Sequence, residues 1–259
     1  WCLLADGTLA SLTHSPRDQV QAWHRHQMQD GKVLSIASLP EPGGDALYLV
    51  TERTGADNVT RRRVERMADR WKPVRGESDA RRAMFLDAAR SRVGTNAVTS
   101  LTGLDHLNGR TVHVMADGAA IPPRTVVNGA ITLDQPARII HAGLPVAYAH
   151  ETTDIDTGGP IGTGQARNKS LAGLEVLVHA TIGASIQVIV DGKPSGRPTQ
   201  IPFRRAQDPM DTAPQLVDDW VPVDIANARG KSLRLRIEGQ DALPATILCL
   251  AIQTDVNER

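Results

Sequence analysis

Apolar and polar residues alternate with a period of two along much of the chain. In SLRLRIEG, Leu233, Leu235 and Ile237 fall on one side and Arg234, Arg236 and Glu238 on the other. That pattern predicts a half-buried antiparallel strand. RTVHVMADG splits the same way, with Thr111, His113 and Met115 opposite Val112 and Val114. LAGLEVLVHATIGASIQVIVDG, IPFRRA, WVPVDIA and ATILCLAIQTDV continue the alternation to the end of the chain. Asp-Gly in LLADGTLASLT and in RTVHVMADG, and Asn-Gly in RTVVNGAITL, separate such runs. Both residue types tolerate positive φ and close tight hairpins.

The order of these signals predicts an all-β protein in several parts. Residues 1–67 read as a meander of short strands at intervals of roughly 8–13 residues: LLADGTLASLT, QVQAWHRH, KVLSIASLP, ALYLVTER and VTRRRVERM. This predicts one propeller-like blade and part of the next, with the QDG turn at Gln29–Gly31 folding KVLSIASLP back onto QVQAWHRH. Residues 68–82, with Pro73 and Gly76, are polar and read as a linker. Residues 83–152 read as a β-barrel or β-sandwich domain, 153–169 as a Gly-rich loop and 170–259 as a C-terminal β-sandwich. One stretch is ambiguous: Ala83–Val93 is rich in Ala, Leu, Met and Arg, which favours helix on propensity.

Composition narrows the function classes. The 259 residues carry 29 Lys+Arg against 29 Asp+Glu. Dedicated nucleic-acid binders carry a basic excess because phosphate neutralisation supplies most of their affinity, so bulk DNA binding is not expected. Aromatics make up 3%, too few for a stacking surface of the kind that reads glycans or single strands. No apolar run approaches the length of a membrane span. The chain opens on WCLLADG, with neither Met nor a leader, which reads as a fragment that starts inside a larger protein. Cys2 and Cys249 sit in apolar runs and read as two buried thiols, with a single disulfide as the alternative.

Candidate chemistry is sparse. His24 and His26 are two apart beside Trp23, so on a strand their imidazoles share a face. Two histidines make at most half of a zinc site, and the next, His14, lies across a turn. A metal there requires a third ligand from another strand or subunit, and none is expected. In GPIGTGQARNKS, Gly159 and Gly164 have phosphate-loop spacing, but Gln165 stands where lysine is needed and no helix follows. HETTDID (His150–Asp156) and DDW (Asp218–Trp220) hold carboxylates without a calcium-loop pattern. No catalytic, cofactor-binding or metal residue is assigned. RRRVERM is basic: Arg61 and Arg63 share a face with Glu65, and Arg62 and Arg66 share the other with Val64. Arg61, Arg62, Arg63 and Arg66 are the candidates for a channel lining or subunit interface.

Several phrases, in order along most of the chain, resemble one family. They are LADGTLASLT, QVQAWHRH with DGKV, LTGLDHLNGRTVHVMADG, VVNGAITLDQPARIIHAGLPVAYAHETTDI, GTGQARNKS, IPFRRAQDPMD and LPATILCLAIQTDV. The chain resembles the C-terminal part of the tail nozzle, or tail tubular protein B, of short-tailed phages, a family related to packaged-DNA stabilisation proteins. The resemblance implies a structural virion protein of the phage tail, made in the host cytoplasm. Its subunits would assemble as a six-fold ring below the portal and adaptor, and DNA would pass through that ring. It implies no enzymatic activity and no cofactor. It also implies that Ala83–Val93 is extended, which overrides the helix propensity, since tertiary context decides short apolar runs. NKSLAGLEVLVH departs from a usually more basic family stretch. The alternative is a β-sandwich module that binds glycans or a receptor. A hydrolase using the acids around Asp154 is a third possibility, resting on scattered residues alone.

Overall fold

The computed structural model describes residues 1–73, 79–156, 167–201, 212–225 and 228–256. Strand accounts for 63% of the chain and helix for 1%, so the protein is all-β, without a closed barrel among the described residues. Among the described residues, no helix is long and apolar enough to cross a membrane. The chain divides into two compact units: Trp1–Lys72, Met84–Ala116 and Ala120–Val146 form the first, and Pro73–Ala83, Asp117–Ala119 and Ala147–Arg259 the second.

Three antiparallel sheets build the first unit. β1 (Cys2–Leu3), β2 (Leu9–Ser15) and β3 (Val20–His26) lie in chain order. The Asp-Gly turn between β1 and β2 forms as the sequence predicts, with Gly7 at φ 85° and its amide donating to the Leu4 carbonyl at 3.0 Å. β4 (Gly31–Glu41), β5 (Gly44–Thr54) and β6 (Thr60–Arg66) form a second meander, also three strands wide.

The predicted pairing of β3 with β4 is not found. β4 pairs instead with β5, from Gly31↔Arg53 to Glu41↔Gly44, and β3 is left as an edge. Burial explains the choice. Every residue of β3 is exposed, whereas Val33, Leu47 and Leu49 bury together with Leu9. The Gln29–Gly31 segment is held elsewhere: the Gln29 amide donates to Asp87 at 3.0 Å and Asp30 pairs with Arg110.

β7 (Leu86–Thr102), β8 (Thr111–Ala116), β9 (Ala119–Thr125) and β10 (Ala130–Pro145) form the third sheet, in the order β7-β10-β8-β9. Ala83–Val93 is extended from Leu86 on, not helical. The long β10 pairs with β7 from Leu86↔Pro145 to Thr102↔Ala130, with bulges on the way, and that ladder outweighs helix propensity. Leu101, Leu104, Val112, Val114, Ile131 and Ile140 form its core. The sheet is open, with β7 and β9 at its edges.

Among the described residues, three tight turns close on two residues that both have positive φ: Asp117–Gly118 (47° and 91°), Asn128–Gly129 (51° and 69°, closed by the Val127–Ala130 bridge) and Asp191–Gly192 (47° and 79°). This is the I′ geometry that matches strand twist. Gly129 is doubly constrained, because a Cβ there would stand 2.3 Å from Asp105 Oδ1. Gly129→Ala is therefore expected to cost about 1–2 kcal/mol in urea unfolding. An unchanged midpoint would show that the turn tolerates a side chain.

The second unit is a β-sandwich. One sheet holds β11 (Tyr148–Glu151), β17 (Leu233–Gly239), β13 (Ser185–Val190) and β14 (Lys193–Gln200), in that order. In the other, β12 (Lys169–Val178) is flanked along its length by β18 (Ile247–Val256) and on its other edge by β15 (Trp220–Pro222) and β16 (Ala228–Gly230). Leu171, Leu174 and Val176 of β12 meet Ile186 and Val188 of β13 and Leu233 and Leu235 of β17 in one core. The alternation read in SLRLRIEG is present: Leu233, Leu235 and Ile237 are buried.

The expectation of two buried thiols fails. Cys2 and Cys249 are both free and exposed. Cys2 lies on a two-residue edge strand, and Cys249 points outward from β18, where Leu250 and Ile252 face the core.

Candidate functional site

Alternation on β5 puts an arginine inside. Leu47, Leu49, Thr51 and Arg53 follow one face of the strand, and all four are buried. A guanidinium in that position needs carboxylates, since burial of an unpaired charge is strongly unfavourable. It has two. Arg53 forks onto Glu65 of β6 (2.6 and 2.7 Å) and onto Asp87 of β7 (2.8 and 2.6 Å). Thr51 donates its hydroxyl to Glu65 at 2.9 Å, and the amides of Gln29 and Ala88 donate to Asp87 at 3.0 and 2.8 Å. Burial alone pushes the Asp87 carboxyl up, but the Arg53 hydrogen bonds and charge outweigh it and hold Asp87 below its ordinary value. Burial likewise pushes the Arg53 guanidinium down, and its bonds to Asp87 and Glu65 reverse that.

Beside this cluster lies a hollow of about 350 Å³, counting its open mouth. Arg53, Arg61, Arg63, Arg110, His106 and Asp30 are among the residues lining it. The strand register sets this up: Arg61 sits opposite Arg53, and Arg63 opposite Thr51. Like charges directly opposite repel, and carboxylates relieve the strain. Arg61 donates to Asp57 at 3.0 and 2.6 Å, and these bonds hold the Asp57 carboxyl down to about 2. Arg110 pairs with Asp30. His106 is fixed by its Nε2, which donates to the Ala88 carbonyl at 2.7 Å.

The four arginines singled out from the sequence thus separate. Arg61 and Arg63 line the hollow. Arg62 and Arg66 lie on the opposite face of β6 with Val64, which is 74% exposed. Arg62 reaches Glu52 at 3.5 Å, and Arg66 clamps Glu41 and Asp69. Arg66, followed by the Tyr48 hydroxyl, holds the Glu41 carboxyl down to about 2. Arg53, Asp87, Arg110 and His106 were not foreseen. Extending the apolar alternation of ALYLVTER by two positions would have placed Arg53 inside. Its partner Asp87, a strand and a sheet away, leaves no local signal.

The other sequence candidates are accounted for separately. His24 and His26 do share a face of β3, and their rings meet at Nδ1 and Nε2, 2.7 Å apart. One imidazole donates to the other, so a lone pair that a metal would need is engaged within the pair. Trp1 packs on His26 with ring centroids 4.8 Å apart. Among the described residues there is no group of three or more His, Cys, Asp or Glu placed to hold a metal ion. Glu151 and Asp154 are tied to Arg234 at 3.1 and 2.8 Å, and Ser232 donates to Asp154 at 2.5 Å. Asp218 binds His179 and the amide of Ala180. Gly159, Gly164 and Gln165 lie outside the described residues.

No family model matches the sequence, and no curated protein matches it either. Among solved structures, the chain aligns with the conserved protein of unknown function PA5104 from Pseudomonas aeruginosa PAO1. The alignment has 14% identity over 86% of this chain and 96% of that one, with a TM-score of 0.15. A superposition this poor carries no argument about fold or function.

Proposed function

We propose that this chain is a structural subunit of a short-tailed phage tail nozzle, without catalytic activity or cofactor. In this reading it resides in the virion tail and self-associates into a ring below the portal and adaptor, through which DNA passes. The ordered phrases of the sequence support the reading, and one structural observation carries it. β3 is a seven-residue strand whose every side chain is exposed, including Trp23 at 63% and Val20 at 41%. Among the described residues, no strand lies beside its outer edge. Such an edge is an aggregation hazard on a monomer, and a ring subunit has a use for it.

The test is assembly. Electron microscopy and native mass spectrometry of the protein are expected to show closed rings, and Trp23→Lys is expected to reduce them to monomers. A folded protein that stays monomeric and is absent from purified virions would sink the proposal.

A further inference from the structure

The hollow in the first unit contains an imbalance. Arg53, Arg61 and Arg110 each have carboxylate partners: Glu65 and Asp87, Asp57, and Asp30 respectively. Arg53 takes two of these four acids. Arg63 is half-buried on the same face of β6 and makes no ion pair with any described residue. Glu65, two positions along that face, is already occupied by Arg53 and Thr51. A guanidinium partly withdrawn from water without a counter-charge is costly. It also presents a planar fork of donors that fits a tetrahedral oxyanion through two parallel bonds. The hollow that it lines opens to solvent, and Arg61, Arg110 and a hydrogen-bonded His106 line it too.

We propose that this hollow is an oxyanion site, with Arg63 as the principal ligand, that takes a phosphoryl group. The group would be either free phosphate or a phosphodiester of a nucleic-acid backbone. A single phosphoryl contact of this kind needs no basic excess over the whole chain, which agrees with the balanced charge. The inference stands on the geometry of the first unit and does not depend on ring assembly.

Calorimetric titration with inorganic phosphate at low ionic strength tests it. The wild-type protein is expected to bind, and Arg63→Gln to bind roughly tenfold more weakly, the scale of one charge-assisted pair. Arg62→Gln, on the opposite face, is expected to bind as the wild type does. Phosphate should also raise the unfolding midpoint of the wild type and not that of Arg63→Gln, which confirms that the variant folds and has lost the site. If Arg63→Gln does not fold, Arg63→Lys replaces it: charge without the fork should give intermediate binding.

A second arm follows a labelled DNA duplex of arbitrary sequence by anisotropy. Duplex binding that phosphate displaces and Arg63→Gln weakens assigns the site to a phosphodiester. Phosphate binding without duplex binding assigns it to the free ion. Absence of both from the wild type, or equal losses in Arg62→Gln and Arg63→Gln, would overturn the proposal.

Discussion

Replacing Arg53 with alanine is expected to destabilise the first unit by about 3–5 kcal/mol at neutral pH, the scale for breaking a buried ion-pair cluster by removing one partner. The magnitude comes less from the bonds lost than from what remains. Arg53 is 8% exposed, Glu65 22% and Asp87 16%, so the variant keeps two carboxylates largely out of water with no cation between them. Urea unfolding measures the loss. Its pH dependence separates this cause from simple loss of packing. In the wild type, Asp87 is held below its ordinary value of 3.8. A carboxylate depressed on folding contributes stability that is present above its unfolded pKa and lost as pH falls through the folded one. The wild type should therefore weaken as the pH falls below about 4. In Arg53→Ala the sign reverses. Burial without the guanidinium raises the carboxyl, and protonation relieves the folded state. The gap between variant and wild type is expected to narrow from pH 7 to pH 3. A penalty of the same size at both pH values would mean that the charges are not its source.

Leu235→Ala is expected to cost the sandwich about 2–5 kcal/mol, the range for truncating a fully buried leucine. Leu235 is 0% exposed, and β17 is an interior strand, paired with β11 on one edge and β13 on the other. The cavity therefore opens where neither sheet can easily collapse into it. Arg236→Ala, one position along and on the outer face, is the control and should leave the midpoint nearly unchanged. Hydrogen exchange read by mass spectrometry localises the effect. Protection should fall across the strands of the second unit and persist in β8 and β10 of the first. A loss under 1 kcal/mol, or uniform loss of protection in both units, would contradict the separate cores described above.

What could be read from the sequence was local. Period-two alternation identified β17, and Asp-Gly and Asn-Gly identified hairpins whose positive φ angles are in place, because both signals act within a few residues. Partner choice is not local. The QDG segment has the look of a β3–β4 turn, yet β4 pairs with β5, whose Leu47 and Leu49 bury with Val33, while no residue of β3 is buried. Propensity favoured helix over Ala83–Val93, while β10 supplied strand partners far along the chain, from Ile139 opposite Val93 to Pro145 opposite Leu86. At the candidate site, alternation placed Arg61 and Arg63 on one face and Arg62 and Arg66 on the other. It could not show that Arg53 comes between Glu65 and Asp87, or that Arg110 and Asp30 close the rim. Cys2 and Cys249 lie in apolar runs, but each run is an edge strand, and its second face stays in solvent.

The long β7–β10 ladder has a further consequence. Asp87 lies near its far end, where it faces Leu144, and the opposite end at Thr102 and Ala130 is joined by the shorter stretch of chain. Closing a shorter loop costs less entropy, so the charge cluster is complete only when the whole ladder has zipped. A slip of one residue would turn Asp87 to the other face of the strand and strand Arg53 with half its counter-charge. The cluster thus acts as a lock on register: it adds its stabilisation only to the one alignment in which all of β7 is correctly seated.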